Sequence, residues 1–137
     1  MNYWLVKSEP FKYSWDTFVK EQRGTWDGVR NYQARNNLQA MREGDLVLFY
    51  HSSEGLAVVG IAKVAREQYP DPSTDDPRWV AVDLVPLEPL PKPVTLVRIK
   101  SDIRLQNMAL VRHSRLSVSP VRPEEFDILV GISHEID

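Results

Sequence analysis

The sequence predicts an α+β domain: five or six strands, mostly antiparallel, curled into a small barrel with helices packed around it. Three observations carry that expectation. Aromatic and β-branched runs recur at residues 3–6, 46–50, 56–64 and 79–85, each the length of a strand. Two stretches between the first and second of these place apolar residues at helical spacing instead. The 137 residues contain no repeat, low-complexity tract or linker, so a single domain is expected to span 1–137.

The elements follow in order. Residues 3–6 (YWLV) open as a strand, and Pro10 closes it by biasing Glu9 away from helix. Ser14 is placed to cap a helix with Trp15, Phe18 and Val19 on one face, and Gly24 is expected to end it. Asp27-Gly28 signals a turn, and Asn31 can cap a second helix. There Ala34, Leu38 and Met41 fall at i, i+4 and i+7. Residues 46–50 and 56–64 read as a hairpin around the loop 51–55. Gly60, inside its second strand, signals a bulge or a close backbone approach. Seven of the 10 prolines lie between Pro70 and Pro93, so stiff, exposed loops are expected on both sides of strand 79–85. Residues 95–103 and 108–111 are short helical candidates, and Leu116 and Val118 belong to a last strand. Pro123, Glu124 and Glu125 open a closing helix, where the dipole favours acids.

Composition narrows the function. With 17 basic and 19 acidic residues the net charge is −2, which argues against a polycationic coat but permits a local basic face. The absence of cysteine removes thiolate catalysis, zinc ribbons, iron–sulfur clusters and disulfide scaffolds. His51, His113 and His134 lack ligand spacing, so no metal or other cofactor is expected. No apolar run approaches a membrane span, and no secretory leader precedes Tyr3. A soluble, cytoplasmic protein, monomeric and without a membrane partner, is the expectation.

The densest chemistry lies in residues 26–36 (WDGVRNYQARN): two aromatics, two arginines and several amides. Amide side chains make paired donor–acceptor contacts with a base edge, and aromatics stack on its face. The plainer reading has Asn31 as a helix cap, Tyr32 as packing and Arg35 as a solvated charge.

At this stretch the chain resembles a known family. Residues 3–10 (YWLVKSEP), 26–36, Gly44-Asp45 with 49–52 (FYHS), 59–62 (VGIA), 69–71 (YPD) and 115–120 (RLSVSP) resemble the EVE domain family, in order and over nearly the whole chain. The resemblance implies a PUA-like fold, a curled mixed barrel related to PUA, ASCH and YTH domains. It also implies a non-catalytic reader of a modified base in nucleic acid, modified cytosine in DNA before RNA. The cytoplasmic location then carries access to the nucleoid if the protein is bacterial, and becomes nuclear if it is eukaryotic.

A modified base buried in a duplex must be flipped out to be inspected. The expected pocket has Trp26 as its first aromatic wall and Tyr32 or Tyr50 as another. Lys7, Ser8, Glu9, Gly28, Val29 and Asn31 would meet the base edge, and His51 and Ser52 would rim the opening. The similar YTH reader flanks its pocket with a Lys-Ser pair and a downstream tryptophan, matching Lys7-Ser8 and Trp26. Trp26 is expected on a loop, whereas Trp4, Trp15 and Trp79 lie in periodic segments and serve the core.

Phosphates would be met by Arg30, Arg35, Arg112 and Arg115. Between Arg98 and Arg122, six basic residues face Asp102 alone, and Arg23, Arg30, Arg35 and Arg42 form a second cluster. The acids collect in the loop 71–76 and in the tail with Glu124, Glu125, Asp127, Glu135 and Asp137. Surface salt bridges are the plainer account of the 98–122 region. Two alternatives stay open: an ASCH-like hydrolase of modified nucleosides using Lys7 and Glu9 as an acid/base pair, and an RNA-modification reader. In the first, Glu9 would raise the lysine pKa and oppose base catalysis.

Overall fold

The computed structural model describes residues 1–135; Asp137, assigned above to the acidic tail, lies outside them. The order is β1 (Tyr3–Ser8), α1 (Trp15–Glu21), β2 (Gly24–Trp26), α2 (Tyr32–Ala40), β3 (Leu46–His51), β4 (Ala57–Pro70) and β5 (Val80–Thr95). Then come α3 (Leu96–Lys100), a 3-10 turn (Ile103–Leu105), α4 (Ala109–Arg112), β6 (Val118–Val121) and α5 (Pro123–Ser133). The six strands form one mixed sheet in the order β2-β5-β4-β3-β1-β6. Only β1 and β3 run parallel; the other neighbours are antiparallel.

The sheet is not closed, which corrects the expected barrel. Its end strands are three and four residues long, and β6 pairs only with β1. Helix α2 reaches β6 instead: Asn37 Nδ2 donates to the Val118 carbonyl at 2.7 Å, satisfying an edge acceptor that a strand would otherwise take.

Both faces of the sheet are buried. On β1, Trp4 and Val6 join one core while Leu5 joins the other; on β3, Val47 and Phe49 part from Leu48 and Tyr50 in the same way. This is why those segments read as unbroken apolar runs rather than alternating ones. Helices α1 and α2 cover the first face with Trp15, Phe18, Leu38 and neighbouring Met41. The second is covered from the chain's later half by Ile99, Leu105, Leu110, Phe126 and Leu129. Each such fully buried side chain stabilises the fold by about 1.5–3 kcal/mol over its exposed state.

Local signals settle most helix ends. Ser14 Oγ accepts from Thr17 N at 3.1 Å, and Asn31 Oδ1 from Ala34 N at 2.9 Å. Pro123 begins α5, with Glu125 Oε1 accepting from Arg122 N at 2.9 Å. One end differs from expectation. Gln22, at φ 64°, takes the left-handed position after α1, and Gly24 instead starts β2. Gly24 is needed there because an added Cβ would sit 2.8 Å from Tyr13 Oη.

The prolines give a second correction. Pro86, Pro89, Pro91 and Pro93 lie inside β5, not in a loop after it. Strand β2 covers β5 only from Val82 to Leu84. Against β4 the register jumps from Gly60↔Pro89 to Val58↔Val94, so Pro91 and Pro93 fall in a bulge where no ladder donor is required. Gly60 serves both expected roles, a register shift and a close approach: a Cβ there would lie 2.5 Å from the Trp15 ring.

Candidate functional site

A concavity of about 840 Å³ is lined by the end of β1, the 9–13 turn, strand β2 and the 27–31 loop. Seven of the expected pocket residues line it: Lys7, Ser8, Glu9, Trp26, Gly28, Val29 and Asn31. The other four lie elsewhere. Tyr50 is buried in the opposite core, because its position on β3 points it to the other face of the sheet. Tyr32 packs against Trp79 with ring centroids 5.1 Å apart and planes tilted by 31°. His51 accepts the Trp15 N–H on Nε2 at 3.1 Å, anchoring the start of α1. Burial lowers its pKa, against an opposing pull from Asp16. Ser52 N donates to the Ser8 carbonyl at 2.9 Å, extending the β1–β3 pairing by one bond.

Trp26 departs from its expected place on a loop. It ends β2, pairs in register with Val82, and is only 9% exposed. Its ring meets Phe49 edge-on at 5.7 Å and Tyr13 at 6.1 Å. Trp26 is therefore part of the first core as well as a wall of the cavity. Trp79 is buried as expected, but packs beside rather than within the two core clusters, under Tyr32 and the guanidinium groups of Arg30 (5.4 Å) and Arg78 (5.9 Å).

Several lining groups carry partners. Lys7 Nζ donates to the Ser114 carbonyl at 2.6 Å, and burial lowers its pKa. Glu9 pairs with Lys12 at 3.5 Å. Lys7 and Glu9 thus each hold another partner, and burial is the cause that lowers the lysine pKa. Ser8 Oγ donates to the Tyr13 carbonyl at 2.5 Å, which closes the 9–13 turn. Tyr13 Oη donates to Glu21 Oε1 at 3.0 Å; burial, then that bond and the Glu21 charge, push its pKa up. The Asn31 side-chain oxygen is committed to its cap, while its amide nitrogen has no partner among the described residues. Tyr13, Lys12, Arg23 and Ser117 also line the cavity, and sequence reasoning does not assign them there. Tyr13 offers a signal: like Trp26, it is an aromatic beside a turn.

Asp71 holds the cavity wall in place, and it is the main residue that sequence reasoning misses. By sequence it belongs to a solvated acidic loop, yet its side chain is fully buried. Oδ2 accepts from Gly28 N at 2.8 Å and from Arg30 at 2.9 Å, and Oδ1 from Ser73 N at 2.7 Å and Ser73 Oγ at 2.6 Å. Burial alone would raise its pKa; these donors outweigh burial and hold it at about 2. Gly28, at φ 73°, lets the loop turn so that its N–H reaches this carboxylate.

The basic clusters divide. Arg30 pairs with Asp71, Arg23 with Asp83, Arg98 with Asp102 and Glu135, Arg104 with Asp102, and Arg122 with Glu124 and Glu125. Arg42 donates to the Gln39 and Met41 carbonyls. Arg35 lies over the Tyr32 ring at 5.1 Å and bonds Asn36 and the Arg78 carbonyl. Arg112 and Arg115 are exposed and carry no ion pair among the described residues. Among those residues no group of three His, Asp or Glu side chains could hold a metal, and no helix is long and apolar enough to cross a membrane.

A mixed sheet of six strands, helices on both faces and a cavity beside the end of β1 define a small PUA-like domain. The EVE domain family matches residues 2–132, and the chain belongs to that family. It is 36% identical over 165 aligned positions to mouse thymocyte nuclear protein 1, spanning 96% of this chain and 73% of that protein. A solved protein of Agrobacterium tumefaciens is 46% identical with a TM-score of 0.96, covering 98% of this chain and 94% of that one. Human THYN1, crystallised in complex with DNA containing 5-methylcytosine, is 33% identical with a TM-score of 0.92 over 100% of both chains.

Proposed function

We propose that this chain is a non-catalytic DNA-binding module whose cavity beside Trp26 receives a modified cytosine flipped out of the duplex. The observation that carries the reading is the complex of human THYN1 with 5-methylcytosine-containing DNA, in a fold matching this chain end to end. The cavity supports it: about 840 Å³ lies within the usual range of roughly 300–1,000 Å³ for small-molecule sites. Trp26 and Tyr13 supply aromatic surface, Asn31 a free amide donor for the base edge, and half-buried Val29 an apolar contact for a methyl group. Taking the base out of its stack costs a few kcal/mol, which protein contacts must offset. One methyl group seated in an apolar pocket is worth about 1–3 kcal/mol of preference.

The test is titration of the protein with duplexes identical except for one cytosine, left plain, methylated or hydroxymethylated, beside an RNA strand of the same sequence. Tighter binding of a modified DNA duplex is expected. Equal affinities across the DNA set would refute the reading, and tighter binding of RNA would favour an RNA reader. Modified nucleosides incubated with the protein are expected to stay intact. A product that disappears with Lys7→Ala would show a hydrolase instead.

A further inference from the structure

A second cleft adjoins the cavity. It holds about 350 Å³ and is lined by Asn31, Gln33, His113, Ser114, Arg115 and Leu116, with no carboxylate among them. Asn31 belongs to both concavities. The far wall of the cleft, residues 113–116, is tied to the base cavity by two bonds from one residue: Lys7 Nζ donates to the Ser114 carbonyl at 2.6 Å, and Lys7 N to the Ser117 carbonyl at 3.0 Å. The two spaces are therefore held at a fixed separation by β1.

Charge distinguishes them. The arginines lining the base cavity, Arg23 and Arg30, are paired with Asp83 and Asp71. Arg115 in the cleft is exposed and has no acidic partner among the described residues. A polyanion approaching this face meets an unneutralised guanidinium only one residue wall away from the base cavity. A flipped nucleotide turns about its own backbone, so its phosphates stay one sugar away from the base.

We propose that this cleft is a phosphate subsite, which holds one of the two phosphodiester groups attached to the flipped nucleotide. Arg115 supplies the charge, and Gln33 supplies a neutral donor. The subsite rests on the base-reading function proposed above and deepens it, because it fixes where the backbone lies when the base is in the cavity.

The test pairs Arg115→Ala and Arg115→Lys with methylated duplexes in which one phosphate at a time is replaced by a neutral methylphosphonate. Arg115→Ala is expected to lower the salt slope of binding by about 0.9, the value for one B-DNA phosphate, and Arg115→Lys to keep most of it. At one of the two phosphates attached to the methylated nucleotide, the methylphosphonate should weaken the wild-type protein but leave Arg115→Ala no weaker. At distant phosphates the two changes should multiply. The ratio of methylated to plain affinity should survive in Arg115→Ala.

Multiplicative losses at every phosphate, or a wild-type salt slope in Arg115→Ala, would overturn the subsite while leaving base reading intact. A wild-type protein that binds methylated and plain duplexes alike would overturn both, and the two failures are distinguishable in the same titrations.

Discussion

Replacing Asp71 by asparagine keeps the shape of the side chain and removes its charge. In the native protein both carboxylate oxygens accept two hydrogen bonds each, from Gly28 and Arg30 on one side and from Ser73 on the other. An amide can accept on one side only: with its oxygen toward Ser73 it leaves the Gly28 and Arg30 donors without an acceptor, and turned the other way it leaves the Ser73 N–H without one, while the Ser73 hydroxyl can accept from the amide. Losing hydrogen bonds to a charged group costs about 1.5–3 kcal/mol. Linkage gives a second measure of the same quantity. A carboxyl held at about 2 instead of 3.8 contributes about 2 kcal/mol of stability.

The sign follows from the direction of the shift. The depressed pKa means the contribution is fully present above the ordinary carboxylate range and is lost as pH falls from about 4 through about 2. Urea denaturation should therefore show Asp71→Asn less stable than wild type by about 2–3 kcal/mol at pH 7, with the gap narrowing below pH 4. Because Asp71 holds Gly28 and Arg30 in the cavity wall, the folded variant should also lose preference for methylated DNA at pH 7. A variant as stable as wild type at pH 7, or a gap that stays constant down to pH 2, would refute the buried, charge-assisted anchor.

Two other substitutions test the packing behind the cavity. Trp26→Ala should cost about 3–5 kcal/mol in a thermal or urea melt, since the ring is core as well as wall; Trp26→Phe should stay folded while weakening binding of the modified duplex. An unchanged melt for Trp26→Ala would return the residue to a solvent-exposed loop. Gly60→Ala should cost about 1–3 kcal/mol by overpacking, because a Cβ 2.5 Å from the Trp15 ring makes that ring shift out of its contacts with Phe18 at 5.6 Å and Phe49 at 5.3 Å. Adding Trp15→Leu to Gly60→Ala should make the alanine far less costly, and an undiminished penalty in that background would place the clash elsewhere.

Much of the candidate site is legible in the sequence. Residues 26–31 of the 26–36 stretch and Lys7-Ser8-Glu9 do meet around one cavity, and the stretch stands out by its crowding of aromatic, amide and basic residues. The residues that fall outside the cavity share a cause. Tyr50 and His51 lie on a strand, where a shift of one position turns a side chain to the opposite face. Tyr32 opens α2, where its ring is drawn to Trp79, a partner far away in the chain. Asp71 looks like one acid among several between residues 71 and 76, and nothing in that loop announces that Gly28 and Arg30 will reach it.

The elements whose causes are local can be read from the chain alone. Ser14 and Asn31 cap the helices that follow them, Pro123 starts the last helix, and the apolar runs at residues 3–6 and 46–50 are strands because both of their faces are buried. These depend on neighbours within a turn of helix or on a short unbroken apolar run, which are printed in the chain. That the sheet stays open, that Trp26 lies in a strand against Phe49, that Asp71 is buried under four donors, and which arginines remain unpaired follow from the packed fold alone. Each of these turns on groups brought together from distant parts of the chain. Composition counts such groups but cannot say which will meet, because pairing and burial are properties of the packed molecule.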